Sequence, residues 1–383
     1  GGEIAAECGD NRPADGAGSF MEGPSNVFSR AASAIERLPL WSVVVLYLLA
    51  AVAWMGVAFG SIALQAGIQG LIVGSIYVLG AAGLSLTYGI RRFANFAHGD
   101  YMTAGAYAAF FIVHPTEGLG QHVFLGVVAA ILSVAVIAML LEIGVFRRLE
   151  GRPTAALIAS VGIALIIQNV ISAIFLPDVR TFPVAVPPDF AIGDTGLTFN
   201  AVEGGVTLGV SVFFIAFLHL MLKYTTLGKA MRACADDLDL ARTSGINTRN
   251  VILWTWAIAG AFAGVAGVLL AISVNVFPLL GFFVLLFIFA AVIIGGIGSP
   301  YGAMLGGLIV GFVQKLSNVL FGELQQAGIL EGGSAYEPAG AFVIMIVVLL
   351  LKPEGIMGTR RPGPARRALR LPAWGRGGAR RGV

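Results

Sequence analysis

About ten long apolar segments, joined by short charged stretches, constrain this chain more than any other feature of its sequence. Most approach the roughly 20 residues that a helix needs to cross the hydrocarbon core of a bilayer, and the last, 339–351, is shorter. No water is available there, so every backbone group must be bonded within the protein, which excludes open sheets. Composition agrees, since 57% of the residues are hydrophobic and 12% are charged. The pattern predicts an all-α polytopic membrane protein with about 8–10 transmembrane helices.

The charges between the segments alternate in sign along the chain. Basic runs follow residues 90, 146, 222 and 351, whereas the loops 177–205 and 323–337 are rich in acids. Lysine and arginine mark the cytoplasmic side of a membrane protein, so both termini are predicted to lie in the cytoplasm. The segments that begin at Phe93 and Phe282 read equally well as re-entrant, which leaves about eight true spans.

Three regions follow from this division. Residues 1–40 are rich in Gly, Ala, Ser and Pro and are predicted to be a disordered N-terminal segment. Residues 41–351 form the transmembrane domain, with a cytoplasmic loop at 223–250 and an external loop at 177–205. Residues 352–383 form a basic cytoplasmic tail, which can also contact anionic lipid headgroups.

The cytoplasmic loop 223–250 is too long for a simple turn and contains LDLARTSGIN, which predicts a short helix. Asp237 suits the helix start, Leu238 and Ala241 share one face, and Gly245 can end the last turn. A helix this short needs a partner surface to be stable. The alternative is a solvated charged loop that only sets topology.

A second unusual stretch, FANFAHGDYMTAGAYAAFFIV, places ionisable residues within an apolar segment. Such groups are costly in a membrane and usually face the bundle interior or a water-filled path. Asn95, His98, Gly99 and Asp100 are therefore candidates for a solute pathway or its gate. The alternative is a helix cap, in which Asp100 bonds free amides where a short helix breaks and restarts.

A third stretch, GGIGSPYGAMLGG, is dense in glycine. Glycine permits sharp turns and close helix crossings in membranes. We expect it to pack helices together through Gly295, Gly296, Gly298, Gly302 and Gly306.

Several chemistries have no signature in the sequence. It contains no G-x-x-x-x-G-K-[ST] loop for ATP, and no H-E-x-x-H motif or cysteine pair for a metal. Nothing places a serine nucleophile beside a base. The chain is therefore predicted not to be an enzyme and to bind no metal or cofactor itself.

The motifs FANFAHGDYM, RACADDLDLARTSGIN and GGIGSPYGAMLGG resemble those of the permease subunits of branched-chain amino acid ABC importers. That family also contains permeases for urea and other small polar solutes, and the resemblance extends roughly over Ile62–Gly358. It implies the ABC importer permease fold, in which a short coupling helix docks on an ATPase subunit. The coupling residues that it implies are Arg232, Asp237, Leu238, Ala241, Gly245 and Ile246.

The resemblance also implies a function and its partners. A periplasmic binding protein would deliver a small polar solute, with branched-chain amino acids as the leading expectation. ATP and Mg would be held by separate ATPase subunits, and a second identical or homologous permease would complete the pathway in the bacterial inner membrane, without nucleic acid. Two alternatives are an ion-coupled secondary transporter that uses His98 and Asp100, and a membrane scaffold that transports nothing.

Overall fold

A computed structural model describes residues 60–184, 190–191 and 198–358 of the chain. The predicted disordered segment, the first predicted span apart from Gly60, and residues 359–383 of the predicted tail lie outside the described residues. Parts of the loop 177–205 lie outside them too.

The described residues form a bundle of helices. In chain order the α-helices are α1 (Ser61–Arg91), α2 (His98–Val113), α3 (Val123–Gly144), α4 (Pro153–Phe175), α5 (Thr207–Tyr224), α6 (Thr226–Asp236), α7 (Leu238–Thr243), α8 (Thr248–Ser273), α9 (Leu280–Gly295), α10 (Pro300–Gln326) and α11 (Glu337–Leu351). Short 3₁₀ turns occupy Phe146–Leu149 and Gly333–Tyr336, and a π-helical turn occupies Ala201–Val206. Two strands, β1 (Phe190–Ala191) and β2 (Thr198–Phe199), pair antiparallel with Phe190 opposite Phe199.

Six helices within the described ranges are long and apolar enough to cross a membrane: α1, α3, α4, α5, α8 and α10. Helices α9 and α11 are shorter apolar helices. The prediction of an all-α polytopic membrane protein is confirmed.

Helices α1 and α10 are packed together through glycines. Gly70 and Gly74 of α1 face Gly307 and Gly311 of α10 so closely that a Cβ on Gly70 would lie 2.9 Å from the Cα of Phe312. Added side chains would therefore force the two backbones apart. Such close approach increases van der Waals contact, which drives association where no hydrophobic effect acts between helices.

The long helices separate two differently charged ends of the bundle. Helix α1 has 31 residues, so its ends lie roughly 45 Å apart. We call the end that holds Arg91, the turn Phe146–Leu149 and helices α6 and α7 the basic end. The opposite end, where Gln65 Nε2 donates to the Thr198 carbonyl (2.8 Å) and Arg180 pairs with Glu117, is called the acidic end.

Helix α2 begins inside the bundle rather than at either surface. After α1 ends at Arg91, the chain runs without helix through Phe93 and Asn95, which are buried, and helix resumes at the fully buried His98. Helices α2 and α9 have 16 residues each, about 24 Å, which is less than the roughly 30 Å of hydrocarbon. Non-helical backbone at such depth is tolerated only where protein surrounds it.

Candidate functional site

The buried start of α2 collects the polar side chains that the sequence singled out in this segment. His98 and Asp100 have no solvent exposure, and Asn95 has 1%. Thr103 and, from helix α4, Gln168 are buried beside them. Polar groups in such a place must be hydrogen-bonded to offset their lost hydration.

Three of these side chains, those of His98, Asp100 and Thr103, are hydrogen-bonded to three different helices. The His98 Nε2 donates to the Gly80 carbonyl of α1 (2.9 Å), and Gln168 Nε2 of α4 donates to Asp100 Oδ1 (2.9 Å). The Gly281 amide of α9 donates to Thr103 Oγ1 (2.9 Å). The start of α2 thus ties three other helices together.

Gly99 lies where the first turns of α2 and α9 meet. A Cβ there would overlap the carbonyl oxygen of Gly281 and lie 2.9 Å from the Cβ of Leu285. The N-terminal ends of α2 and α9, both positive ends of helix dipoles, are therefore close together.

The segment was interpreted from the sequence either as part of a solute pathway or as a helix cap made by Asp100. Asn95 Oδ1 accepts from the Ala97 amide (3.1 Å), so a cap-like turn exists, but Asn95 makes it rather than Asp100. Three described cavities of about 450–600 Å³ are lined by other residues. The pathway or gate role of Asn95, His98, Gly99 and Asp100 stays a prediction.

The second candidate site is the pair of short helices α6 and α7 at the basic end. The side chain of Asp237 accepts from the amides of Asp239 (3.1 Å) and Leu240 (3.0 Å) and so caps α7. The helix ends before Gly245, whose φ of +83° falls in the left-handed region that favours glycine. The Ile246 amide then bonds the Ala241 carbonyl (3.1 Å).

The two faces of α7 differ sharply. Ala241 is 3% exposed and packs against the rest of the protein, whereas Leu240 is 64% exposed. Leu240 is the apolar side chain that α7 presents outward, and it was not among the predicted coupling residues. The sequence did contain a signal for it, because Leu240 is an apolar residue that does not lie on the Leu238–Ala241 face of the helix.

The remaining predicted coupling residues do not form one surface. Arg232 lies on α6 and lines a cavity of about 580 Å³ with Arg92, Asp236 and Glu354. Ile246 lines a separate cavity of about 600 Å³, together with Arg242 of α7. Asp237, Ala241 and Gly245 shape α7 itself, so they would act by holding the helix.

A chain of ion pairs links α7 to the membrane helices. Arg242 pairs with Glu150, and its Nη1 lies 3.5 Å from Asp239 Oδ1. Glu150 Oε2 lies 3.5 Å from Arg91 Nη1, and Arg91 pairs with the fully buried Glu142 of α3. The alternating charges connect the surface helix to the ends of α1 and α3.

The charge of Glu150 depends on these partners. Partial burial acts to raise the pKa of its carboxyl group, but the hydrogen bond from Arg242 and the charges of Arg91 and Arg242 outweigh burial and lower the pKa below its usual value. Cys234 of α6 is buried, and burial raises the pKa of its thiol despite the nearby charge of Arg242. Glu150 is thus held ionised, and Cys234 is a poor nucleophile.

The predicted packing glycines divide into two kinds. Gly295 and Gly302 approach one another across α9 and α10, and Gly306 approaches the Ala291 carbonyl so closely that a Cβ would overlap it. Gly296 and Gly298 instead lie in the link between the helices with φ of +111° and +83°. The first three permit the crossing and the last two permit the turn.

Among the described residues, no group of three or more His, Cys, Asp or Glu side chains is arranged to hold a metal ion.

The spanning helices define a class, that of multi-pass membrane proteins. Residues 66–351 match the family model described as "Branched-chain amino acid transport system / permease component". The chain therefore belongs to the family of branched-chain amino acid ABC transporter permeases, in which ATP is hydrolysed by a separate subunit.

Individual relatives agree. BraD of Pseudomonas aeruginosa, a high-affinity branched-chain amino acid transport system permease protein, is 33% identical over 306 residues, which is 77% of this chain and 95% of that protein. A probable LivH permease of Methanocaldococcus jannaschii is 30% identical over 75% of this chain and 90% of its own. LivM of Escherichia coli K12 is 24% identical over 75% of this chain and 69% of its own. Membership supports the importer interpretation and not the ion-coupled alternative.

Proposed function

We propose that this permease translocates branched-chain amino acids delivered by a periplasmic binding protein. The names of its relatives supply the solute class. We further propose that the basic end faces the cytoplasm of a bacterium, in its inner membrane, with both termini inside.

The observation that carries the proposal is the geometry of α7. A six-residue helix is too short to be stable alone, yet it is capped at both ends and exposes one large apolar side chain, Leu240. Such an anchor fits a pocket on a partner protein. We assign that partner as the ATPase subunit, which would hold ATP and Mg, while this chain binds no cofactor and no nucleic acid.

The ion-pair chain gives the docking helix a route to the membrane. When the ATPase subunits close, α7 would be displaced, and Arg242 would carry Glu150 and Arg91 with it. Since Arg91 ends α1 and its partner Glu142 is near the end of α3, the displacement would bias the bundle between its inward-facing and outward-facing states.

A second permease subunit is proposed to complete the pathway. The similarity to LivM, which is itself named a permease of a branched-chain system, supports a homologous partner as well as a second copy of this chain. Co-purification of differently tagged chains distinguishes the two.

Reconstitution tests the solute and the coupling together. Proteoliposomes with this chain, its partner permease, the ATPases and the binding protein should take up leucine, isoleucine or valine only with ATP. Uptake that persists without the ATPases and collapses with the ion gradient would overturn the proposal, and so would the absence of uptake for all three amino acids.

The variant Leu240→Glu tests the docking anchor. Losing a buried apolar anchor typically costs about 2 kcal/mol or more, so ATPase association should weaken roughly thirtyfold. The protein should still insert, because Leu240 is exposed. Leu240→Met, which keeps the apolar volume, is the matched control and should bind almost normally; equal association of Leu240→Glu would count against docking through α7.

A further inference from the structure

A cavity of about 600 Å³ opens at the basic end between the end of α1, the 3₁₀ turn and the start of α8. Its charged lining is strongly basic and consists of Arg91, Arg147, Arg242, Arg249, Glu142 and Glu150. Four guanidinium groups against two carboxylates leave two positive charges in excess. Like charges gathered around one cavity repel one another unless an anion lies between them.

The two carboxylates are already engaged by two of the arginines. Arg91 pairs with Glu142 and also contacts Glu150, which pairs with Arg242. Among the described residues, neither Arg147 nor Arg249 has a carboxylate within 4.0 Å. Arg147 is half-buried, so water hydrates its side chain only in part.

A third arginine also has unused donors at the cavity. The side chain of Arg91 is 6% exposed, and its Nε has no hydrogen-bond acceptor in the part of the chain that the structure describes. A buried donor without an acceptor is costly, so an anion reaching this wall would be favoured. Guanidinium groups match phosphate oxygens with paired hydrogen bonds.

The cavity lies at the level where helices leave the membrane. Its lining includes the last residue of α1 (Arg91), Glu142 near the end of α3, and Ile252 in the second turn of α8. On two of the helices that border it, the apolar side chains of Ile143 (α3) and Trp254 (α8) are 45% and 56% exposed. Tryptophan is enriched at the membrane interface, and basic pockets between helices at this level suit lipid headgroups.

We propose that this cavity binds the phosphate of an anionic phospholipid, held by Arg147 and Arg249. The lipid would join the turn after α3 to the start of α8, on either side of the Arg242–Glu150 pair. Such a lipid would be a bound ligand of this chain, distinct from the solute that it transports.

The test compares lipid retention by the purified full-length chain. The double variant Arg147→Gln with Arg249→Gln is incubated with vesicles of phosphatidylglycerol and phosphatidylcholine, extracted, and examined by native mass spectrometry. A charge-assisted hydrogen bond contributes about 1.5–3 kcal/mol, so phosphatidylglycerol retention should fall at least about tenfold. Phosphatidylcholine retention should not change.

Two variants control for charge and for folding. Arg148→Gln with Arg152→Gln removes two exposed arginines of the same segment that do not line the cavity, and it should retain the lipid within about twofold of wild type. Arg147→Lys with Arg249→Lys keeps the charge but not the paired donors, and retention should be intermediate. Elution as a single species in gel filtration verifies that each variant is folded.

Three results would overturn the proposal. One is equal loss of phosphatidylglycerol in the control pair. Another is displacement of the bound lipid by inorganic phosphate at millimolar concentration, which would assign the cavity to a soluble anion. The third is loss of ATPase association without any change in lipid retention, which would assign it to an acidic partner surface. Retention is measured on the chain alone, so the result does not depend on the transported solute.

Discussion

The chain restarts a helix after an interruption in two places that differ in almost every respect, the start of α2 and the start of α7. Both have an aspartate near the first turn. Asp100 Oδ1 accepts a hydrogen bond from the side chain of Gln168 on another helix, whereas Asp237 Oδ1 accepts hydrogen bonds from the amides of its own helix. The same residue type therefore ties helices together in the bundle and caps a helix at the surface.

The difference teaches how burial changes the function of a helix start. At α2 the side chains of His98, Asp100 and Thr103 each have a partner on a neighbouring helix, because no water can substitute for one. At α7 water is available, local capping is sufficient, and the outer face stays free for another protein. We expect substitutions at α2 to affect folding and those at α7 to affect coupling.

Gly99→Val should have the largest effect. Its side chain would overlap the Gly281 backbone, and such overpacking costs about 1–3 kcal/mol or more where backbone must move. We expect little folded protein in detergent by gel filtration. Gly162→Val on α4, where a Cβ meets nothing within 4 Å, is the control and should fold normally. Equal yields would show that the two helix starts are not tightly packed.

Asp100→Asn separates packing from transport at the same place. The amide oxygen can still accept from Gln168, so the protein should fold and bind the ATPase. If the charged hydrogen bond, worth about 1.5–3 kcal/mol, forms in only one transport state, uptake should fall about tenfold or more. Failure to insert in the membrane would instead favour the capping interpretation of Asp100.

The control for Asp100→Asn lies on the helix that carries Gln168. Asn169→Leu removes an amide that bonds only the Leu165 carbonyl of its own helix (2.7 Å). It should leave uptake within about twofold of wild type, as for most exposed substitutions. A comparable loss of uptake in both variants would show that the effect is not specific to the α2 start.

The sequence was sufficient to predict an all-α membrane fold, but it was not sufficient to predict which helices contact one another. Apolar segment length predicted the spanning helices, and glycines such as Gly302 and Gly306 predicted close helix crossings. In the structure, Gly70 and Gly74 of α1 meet glycines of α10 that are more than 230 residues further along the chain. Rules based on local sequence pattern cannot predict a contact between residues so far apart. The sequence pattern identified residues that pack closely, but it did not identify the helices that they pack against.

The candidate sites show the same limit. The cap at Asp237 and the turn at Gly245 were predictable, because both depend on residues a few positions apart. The pairing of Arg242 with Glu150 depends on the tertiary fold, and so does the outward direction of Leu240. An acid near the end of an apolar run, Glu142, was a usable signal for a buried arginine partner.

Gly245→Val should affect α7 without affecting the bundle. An L side chain in the left-handed region costs about 1–2 kcal/mol, and a β-branched one is the least tolerated there. The protein should remain in the membrane, while the ratio of solute taken up to ATP hydrolysed should fall several-fold. Gly245→Asn, which adopts this conformation more readily, should retain most of the coupling. An unchanged ratio in the valine variant would show that the end of α7 is not part of the docking structure.

The smallest effect is expected from acid titration of Glu150. Its pKa is lowered in the folded protein, so its stabilising contribution is complete above the ordinary value near 4.5 and is lost as pH falls through the folded pKa. Since the pair is partly exposed, the contribution should not exceed about 0.5–1 kcal/mol. Thermal unfolding of wild type and Glu150→Gln between pH 6 and pH 3.5 should show a difference that narrows on acidification. The exposed Glu331, which forms no ion pair among the described residues, is the control for removal of a surface carboxylate: Glu331→Gln should unfold at the wild-type temperature at pH 6. Parallel curves for Glu150→Gln and wild type would mean that Arg242 and Glu150 do not interact in solution, and the ionic route from α7 to α1 would then lack its first link.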